Sequence, residues 1–221
     1  MLDCKQVFVF DLDGTLIDSM HDVMTALNDA LEICGFSRLD DLSIKALIGP
    51  DLRCFLTDMI NDNDFDFDVF EKEFVRLYKD QKFSTTTLYP EVVETLSKLV
   101  DQNKKVYVLT NKPSYQSIDI LKHLNIDKFI DKIIGPDTYN LAKPNPIGIS
   151  KIQEETQCDL ADMVFIGDTE VDIQTAKNAN ITSVAVSYGY RDSLLLENEK
   201  PTFIISSLSD LFSLKTDGLT H

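Results

Sequence analysis

Cysteine and histidine are scarce in this sequence, and neither is grouped. Cys4, Cys34, Cys54 and Cys158 form no C-x-x-C pair and have no histidine at zinc spacing, which argues against a zinc site and a disulfide scaffold. They read as reduced, mostly buried thiols. Among the histidines, His21 falls on a helical pattern as a surface residue, while His123 and His221 have no companions. Basic residues are also short: 21 Lys+Arg face 37 Asp+Glu, a formal net charge of −16. Such a surface repels nucleic acid and anionic membrane, so neither is an expected partner. It repels a small phosphorylated metabolite as well, and a site that handles one must carry its own cations. Long apolar runs are absent. Val7–Phe10 meets Asp11 after four residues, too short for a signal peptide or a membrane span, and a cytoplasmic protein is expected. No heptad pattern stands out, so the expected state is a monomer. The acidic stretch 61–68 lacks the glycine and closing glutamate of a calcium loop and reads as a solvated turn.

Three short, apolar, β-branched segments are present, each ending in polar residues. They are 7–10 before Asp11, 106–109 before Thr110, and 163–166 before Gly167 and Asp168. Such runs are typical of strands buried on both faces of a parallel sheet. Weaker strand candidates cover 132–134, 183–186 and 202–205. Helical patterns alternate with them. One runs over 91–100 behind Pro90, with Val92, Val93, Leu96, Leu99 and Val100 on one face; others start at Pro113 and Pro146, and another covers 169–180. The alternation predicts an α/β fold with a doubly wound, mostly parallel sheet. Residues 19–84 interrupt it with helical patterns alone, over about 23–34, 39–48, 52–60 and 69–83. The predicted organisation is a core domain, 1–17 and 85–221, with a small all-helical cap domain, 18–84, inserted after the first strand.

In an open α/β sheet, ligands bind at the carboxyl ends of strands beside a topological switch point. The three strong strands deliver Asp11 and Asp13, then Thr110 and Asn111, then Asp168 to that rim, and Lys143 lies in the loop 140–146. Any one of these is ordinary as a cap or surface charge; together they suit a hard cation and an oxyanion. Asp11, fixed by a buried strand, can attack phosphorus in line. Asp13, two residues on, can protonate a leaving oxygen and then activate water. Mg²⁺ asks for a few carboxylate and carbonyl oxygens and keeps several waters. Thr110 and nearby N–H groups can donate to phosphoryl oxygens, and Lys143 supplies the cation that the acidic surface calls for.

The stretch 11–19, Asp-Leu-Asp-Gly-Thr-Leu-Ile-Asp-Ser, resembles the first motif of the haloacid dehalogenase (HAD) superfamily. Leu109-Thr110-Asn111-Lys112 resembles the second motif, Lys143-Pro144 the third and 167–172 the fourth, so the resemblance covers essentially the whole chain. It implies a HAD-like core, Asp11 as nucleophile, Asp13 as acid/base, and Mg²⁺ held by Asp11, the Asp13 carbonyl and Asp168. Asp172 matches an acidic residue that supports the metal from behind. Thr110, Asn111 and Lys143 are the implied phosphate-binding residues.

An acid at position 13 points to phosphate-ester or anhydride hydrolysis, or to phosphoryl transfer between sugar hydroxyls. The helical insert is similar to the cap of the phosphoglycolate phosphatase-like branch. Arg53, in a segment resembling that branch's cap loop, is a candidate for pairing with a substrate carboxylate. Two features depart or stay open. Glu91 stands where relatives commonly have a hinge glycine, and Lys112 is expected to face solvent. The leading expectation is a Mg²⁺-dependent phosphatase for a small organic phosphate: phosphoglycolate-like, a nucleotide or a sugar phosphate. The alternatives are a β-phosphoglucomutase-like enzyme, a pyrophosphatase and, more remotely, a non-catalytic signalling or scaffold module.

Overall fold

A computed structural model describes residues 2–214; residues 215–221, His221 with them, lie outside the described part. The chain opens with β1 (Val7–Phe10), passes through β2 (Ile17–Asp18), and makes four helices: α1 (Met20–Ile33), α2 (Asp41–Leu47), α3 (Leu52–Ile60) and α4 (Phe67–Asp80). It returns through β3 (Thr87–Leu88) to α5 (Val92–Asp101), β4 (Lys105–Leu109), α6 (Ser114–His123), β5 (Lys132–Ile134), α7 (Pro136–Tyr139) and α8 (Ile147–Thr156). Then come β6 (Met163–Gly167), α9 (Glu170–Asn178), β7 (Thr182–Val186), α10 (Ser193–Asn198) and β8 (Phe203–Ile205). No described helix is long and apolar enough to cross a membrane.

Six strands form a parallel sheet in the order β5-β4-β1-β6-β7-β8. The chain leaves β1 for β4 on one side and later jumps to β6 on the other, so the switch point lies at the carboxyl end of β1. The strands are short and apolar because both faces are covered. Phe8 and Phe10 face Leu96, Leu99 and Ile120 of α5 and α6, while Val7 and Val9 face Ile149, Ile152 and Ala176 of α8 and α9. This period of two is what a strand buried on both sides requires. The expected stripe on α5 is narrower than read: Val92, Leu96 and Leu99 are buried, but Val93 and Val100 are exposed at its margins.

The inserted helices have an apolar cluster of their own, including Leu27, Leu31, Ile44, Leu56, Phe67 and Phe70. The ring of Phe65, just before α4, and those of Phe67, Phe70, Phe74 and Tyr78 along it form a run of edge, tilted and stacked contacts. The insert joins the sheet through the antiparallel pair β2–β3, with Ile17 opposite Leu88 and Asp18 opposite Thr87. Each of these strands is too short for a sequence pattern to reveal. At this junction the buried Asp22 carboxylate accepts from the Thr85 hydroxyl (2.7 Å), the Thr86 hydroxyl (2.6 Å) and the Thr86 N–H (2.9 Å). Burial works to raise its pKa, but the Thr86 and Thr85 donors outweigh it and hold the acid below the ordinary range. The cysteines correct one expectation: Cys4 and Cys54 are exposed, and Cys34 and Cys158 are half-buried. None sits in the core.

Candidate active site

Asp11 continues β1 by one residue, its N–H donating to the Ile166 carbonyl of β6 at 2.9 Å. The turn that follows is tight, with the N–H groups of Leu16 and Ile17 both donating to the Leu12 carbonyl. Gly14 has φ +86°, and a Cβ there would lie 2.2 Å from Asp168 Oδ2, so only glycine lets the first turn approach the end of β6 this closely. Thr110 extends β4 in the same way as Asp11 extends β1, its N–H donating to Ile134. Lys143 arrives from the loop between α7 and α8.

These side chains converge. The Lys143 ammonium, 1% exposed, lies 2.8 Å from Asp11 Oδ1 and 2.6 Å from Asp172 Oδ1. Asp11, Asp168 and Asp172 are all buried, and each offers an oxygen within 4.8 Å of the others. Burial, then the charge of Asp172, push the Asp11 carboxyl up to about 7 against the pull of Lys143. Burial and the charges of Asp172 and Asp11 likewise raise Asp168 well above the carboxylate range. Burial alone would lower Lys143, but Asp11 and Asp172 reverse this and leave it above a free lysine.

Three buried carboxylates against one ammonium leave charge that a bound cation would balance. Acceptor capacity separates the three. Asp172 is spent: Oδ1 takes Lys143, while Oδ2 takes the Thr169 N–H (2.9 Å) and hydroxyl (2.7 Å). Asp168 has one donor on each oxygen, Thr15 Oγ1 at 3.0 Å and the Tyr190 N–H at 2.8 Å. Asp11 Oδ1 has no donor aligned on it despite the nearby ammonium. Asp11 and Asp168 can therefore still ligate a metal, and the residues fit one. Asp172 fits a supporting position that fixes Lys143.

Asp13 stands apart from this trio. Its Oδ1 accepts from the Ser19 hydroxyl and, at 2.8 Å, from Lys112 Nζ. Lys112 is thus not at the surface, correcting the expectation: its side chain is 9% exposed and also donates to the Tyr78 hydroxyl of α4 at 3.1 Å. Asp13 and Tyr78 attract the ammonium because each offers an acceptor where water is excluded. Asn111 accepts from the Lys143 N–H at 2.7 Å and donates to the Gly49 carbonyl at 2.8 Å, so its side chain ties loops together beside the cleft. The Thr110 hydroxyl accepts from the Lys112 N–H at 3.1 Å. Arg53 reaches the same cleft, but its guanidinium is held by Asp68 at 2.6 Å and Glu71 at 3.5 Å, over the Phe67 ring.

Tyr188, Tyr190 and Arg191 had no sequence signal. After β7, the Tyr188 hydroxyl donates to the Thr15 carbonyl, and the Tyr190 hydroxyl accepts the Ser19 N–H. Arg191 pairs with Glu170 at 2.8 Å and donates to the carbonyls of Lys45 (2.7 Å) and Ile48 (3.0 Å) at the end of α2. Gly49, with φ +104°, lies where a Cβ would come 2.7 Å from Thr169 Cγ2, so the insert's loop presses onto the fourth motif. Glu91 takes a left-handed backbone, φ 65°, where glycine would be unstrained, and its carboxylate accepts from Ser207 and Ser209.

A family described as haloacid dehalogenase-like hydrolase matches residues 8–186. The phosphoglycolate phosphatase of Neisseria meningitidis is 32% identical over 216 residues, covering 94% of this chain and 92% of its own. That of Aquifex aeolicus is 32% identical over 220 residues, covering 98% and 99%. A crystal structure from Haemophilus somnus, described as a predicted phosphoglycolate phosphatase, superposes with a TM-score of 0.87 at 26% identity, covering 95% of this chain and 97% of that one.

Proposed function

The chain belongs to the haloacid dehalogenase-like hydrolase family and is a phosphatase of it, and on that premise we propose that it hydrolyses a small organic phosphate monoester through an aspartyl-phosphate at Asp11. The substrate class is phosphoglycolate-like, nucleotide or sugar phosphate. Residues 18–84 act as a cap over a core made of 1–17 and 85–221.

In the first half-reaction an Asp11 carboxylate oxygen bonds to phosphorus as the ester P–O bond breaks. Asp13 gives its proton to the departing alkoxide. In the second, Asp13 takes a proton from water, whose oxygen bonds to phosphorus; the Asp11–phosphorus bond breaks, and phosphate leaves. The Lys112 ammonium and the Ser19 hydroxyl hold Asp13 in orientation. Lys143, oriented by Asp172, and the Thr110 hydroxyl stabilise charge on the phosphoryl oxygens, with the backbone at Asn111 beside them. Asp11, Asp168 and the Asp13 main-chain carbonyl would hold Mg²⁺, which when bound supplies further positive charge at the phosphoryl group.

The observation that carries this reading is the gathering of Asp11, Asp168 and Asp172 at the sheet's switch point, with one buried ammonium bridging Asp11 and Asp172. Phosphate release from a panel of monoesters, with and without Mg²⁺, tests it. Release that needs Mg²⁺ and disappears in Asp11→Asn, with the fold intact by circular dichroism, is expected. Normal turnover by that variant contradicts the nucleophile assignment.

A further inference from the structure

The cleft above Asp11 encloses about 270 Å³. This is close to the lower end of pockets that enclose multi-ring ligands, roughly 300–1,000 Å³. A two-carbon acid such as glycolate would leave much of that space unfilled. The roof is the inserted helices, and its lining is hydrocarbon: Val23 and Leu27 of α1, Leu47 of α2, and Phe67, Phe74 and Val75 of α4.

The charges on the roof are equally informative. A second anionic group on the substrate would need a cation there, and Arg53 is the roof's cation among the described lining residues. It is already paired with Asp68 and Glu71. These pairs are exposed, and each alone is weak. The sign of the neighbourhood does not depend on their strength, however: Asp51, Asp68 and Glu71 surround the one arginine. Lys112, the other cation among the described lining residues, is committed to Asp13 and Tyr78, and Lys143 serves the phosphoryl end. The roof is therefore apolar with a net negative rim, a poor receiver for a carboxylate and a good one for an uncharged ring.

The geometry points to a phosphate monoester of an uncharged, ring-bearing alcohol as the preferred substrate, ahead of phosphoglycolate. This rests on the phosphatase reading: the phosphoryl end sits at Asp11 and Lys143, and the organic body packs against Phe74 and Val75. The arginine selected from the sequence as a carboxylate anchor then serves to neutralise the roof's own acids.

Benzyl phosphate, ethyl phosphate and 2-phosphoglycolate test this in the Mg²⁺-loaded enzyme, because all three release a primary alcohol and differ in ring and charge. The expected order of kcat/KM is benzyl, then ethyl, then phosphoglycolate, with at least about tenfold between first and last, since even one well-buried methylene is worth about that much. Val75→Lys places a cation in the roof and should narrow the benzyl-to-glycolate ratio by about tenfold. Equal or better turnover of phosphoglycolate by the unaltered enzyme overturns the inference and leaves the phosphatase reading standing. An unchanged ratio in a folded Val75→Lys also overturns it. Release from none of the three esters overturns the inference as well, and the wider monoester panel then decides the phosphatase reading separately.

Discussion

The floor and the roof of the cleft are built by different rules. The floor is made of strand ends: Asp11, Thr110 and Asp168 each follow a buried strand of one parallel sheet, and backbone hydrogen bonds fix where they stand. The roof is made of helices with their own apolar cluster, joined to the floor through Val23, Ala26, Ile48 and Tyr78, which enter the core cluster, and by a few polar ties. Those ties are Asn111 to Gly49, Lys112 to Tyr78, and Arg191 to the end of α2. A catalytic centre must hold charges within fractions of an ångström, which a sheet can do. A substrate must enter and leave, which favours a part that can detach.

The contrast is sharpest where charge is buried in the floor. Lys143→Met strips the ammonium from between Asp11 and Asp172 and leaves buried like charges facing each other. Turnover should fall by three or more orders of magnitude, and stability by about 3–5 kcal/mol, the usual result of breaking a buried pair. Steady-state kinetics and denaturant unfolding check both. A stable, active variant would mean that the floor is not electrostatically preorganised.

The roof should answer differently. Arg191→Ala removes charge-assisted donors from three carbonyls at the end of α2, those of Lys45, Ala46 and Ile48, at about 1.5–3 kcal/mol for such contacts. Hydrogen exchange should speed up in α2 while the strands β1 and β6 stay protected, and KM should rise more than kcat falls. Equal loosening of the sheet would show that floor and roof open as one unit.

The junction between them gives the smallest effect. Asp22 has its pKa lowered in the folded protein by the Thr86 and Thr85 donors, which outweigh burial. Its contribution is therefore fully present above the ordinary carboxylate pKa and is lost as pH falls through the lower, folded value. Proteolysis near Thr85 and Thr86 should increase on acidification below that range, and in Asp22→Asn at neutral pH. Cleavage that ignores both would show that this clamp does not hold the junction.

The same division explains what could be read from the chain alone. The strands announced themselves because burial on both faces leaves short apolar runs, and the reactive groups sit immediately after them. The doubly wound sheet and the positions of Asp11, Asp13, Thr110 and Asp168 along it were legible for that reason, whereas Lys143, in the loop between α7 and α8, was legible from its motif with Pro144. The four helices of the insert were also visible from their spacing, with ends off by a few residues. Lys112 was not: its partners, Asp13 and Tyr78, are distant in sequence, and a lysine after a polar loop resembles any solvated one. Arg191, Tyr188 and Tyr190 act through backbone groups and side chains of remote segments, and such contacts leave no periodic trace. Arg53 was legible as a residue of the cleft, whereas the acids around it appear only when the start of α3 meets the start of α4.

The central claim is covalent, and acid quenching tests it directly. Enzyme mixed with Mg²⁺ and a turned-over ester, quenched in acid within the first turnovers and mapped by peptide mass, should carry a phosphoryl group on the peptide containing Asp11. Steady turnover with that peptide unmodified, or with the phosphoryl group on another residue, would contradict the account.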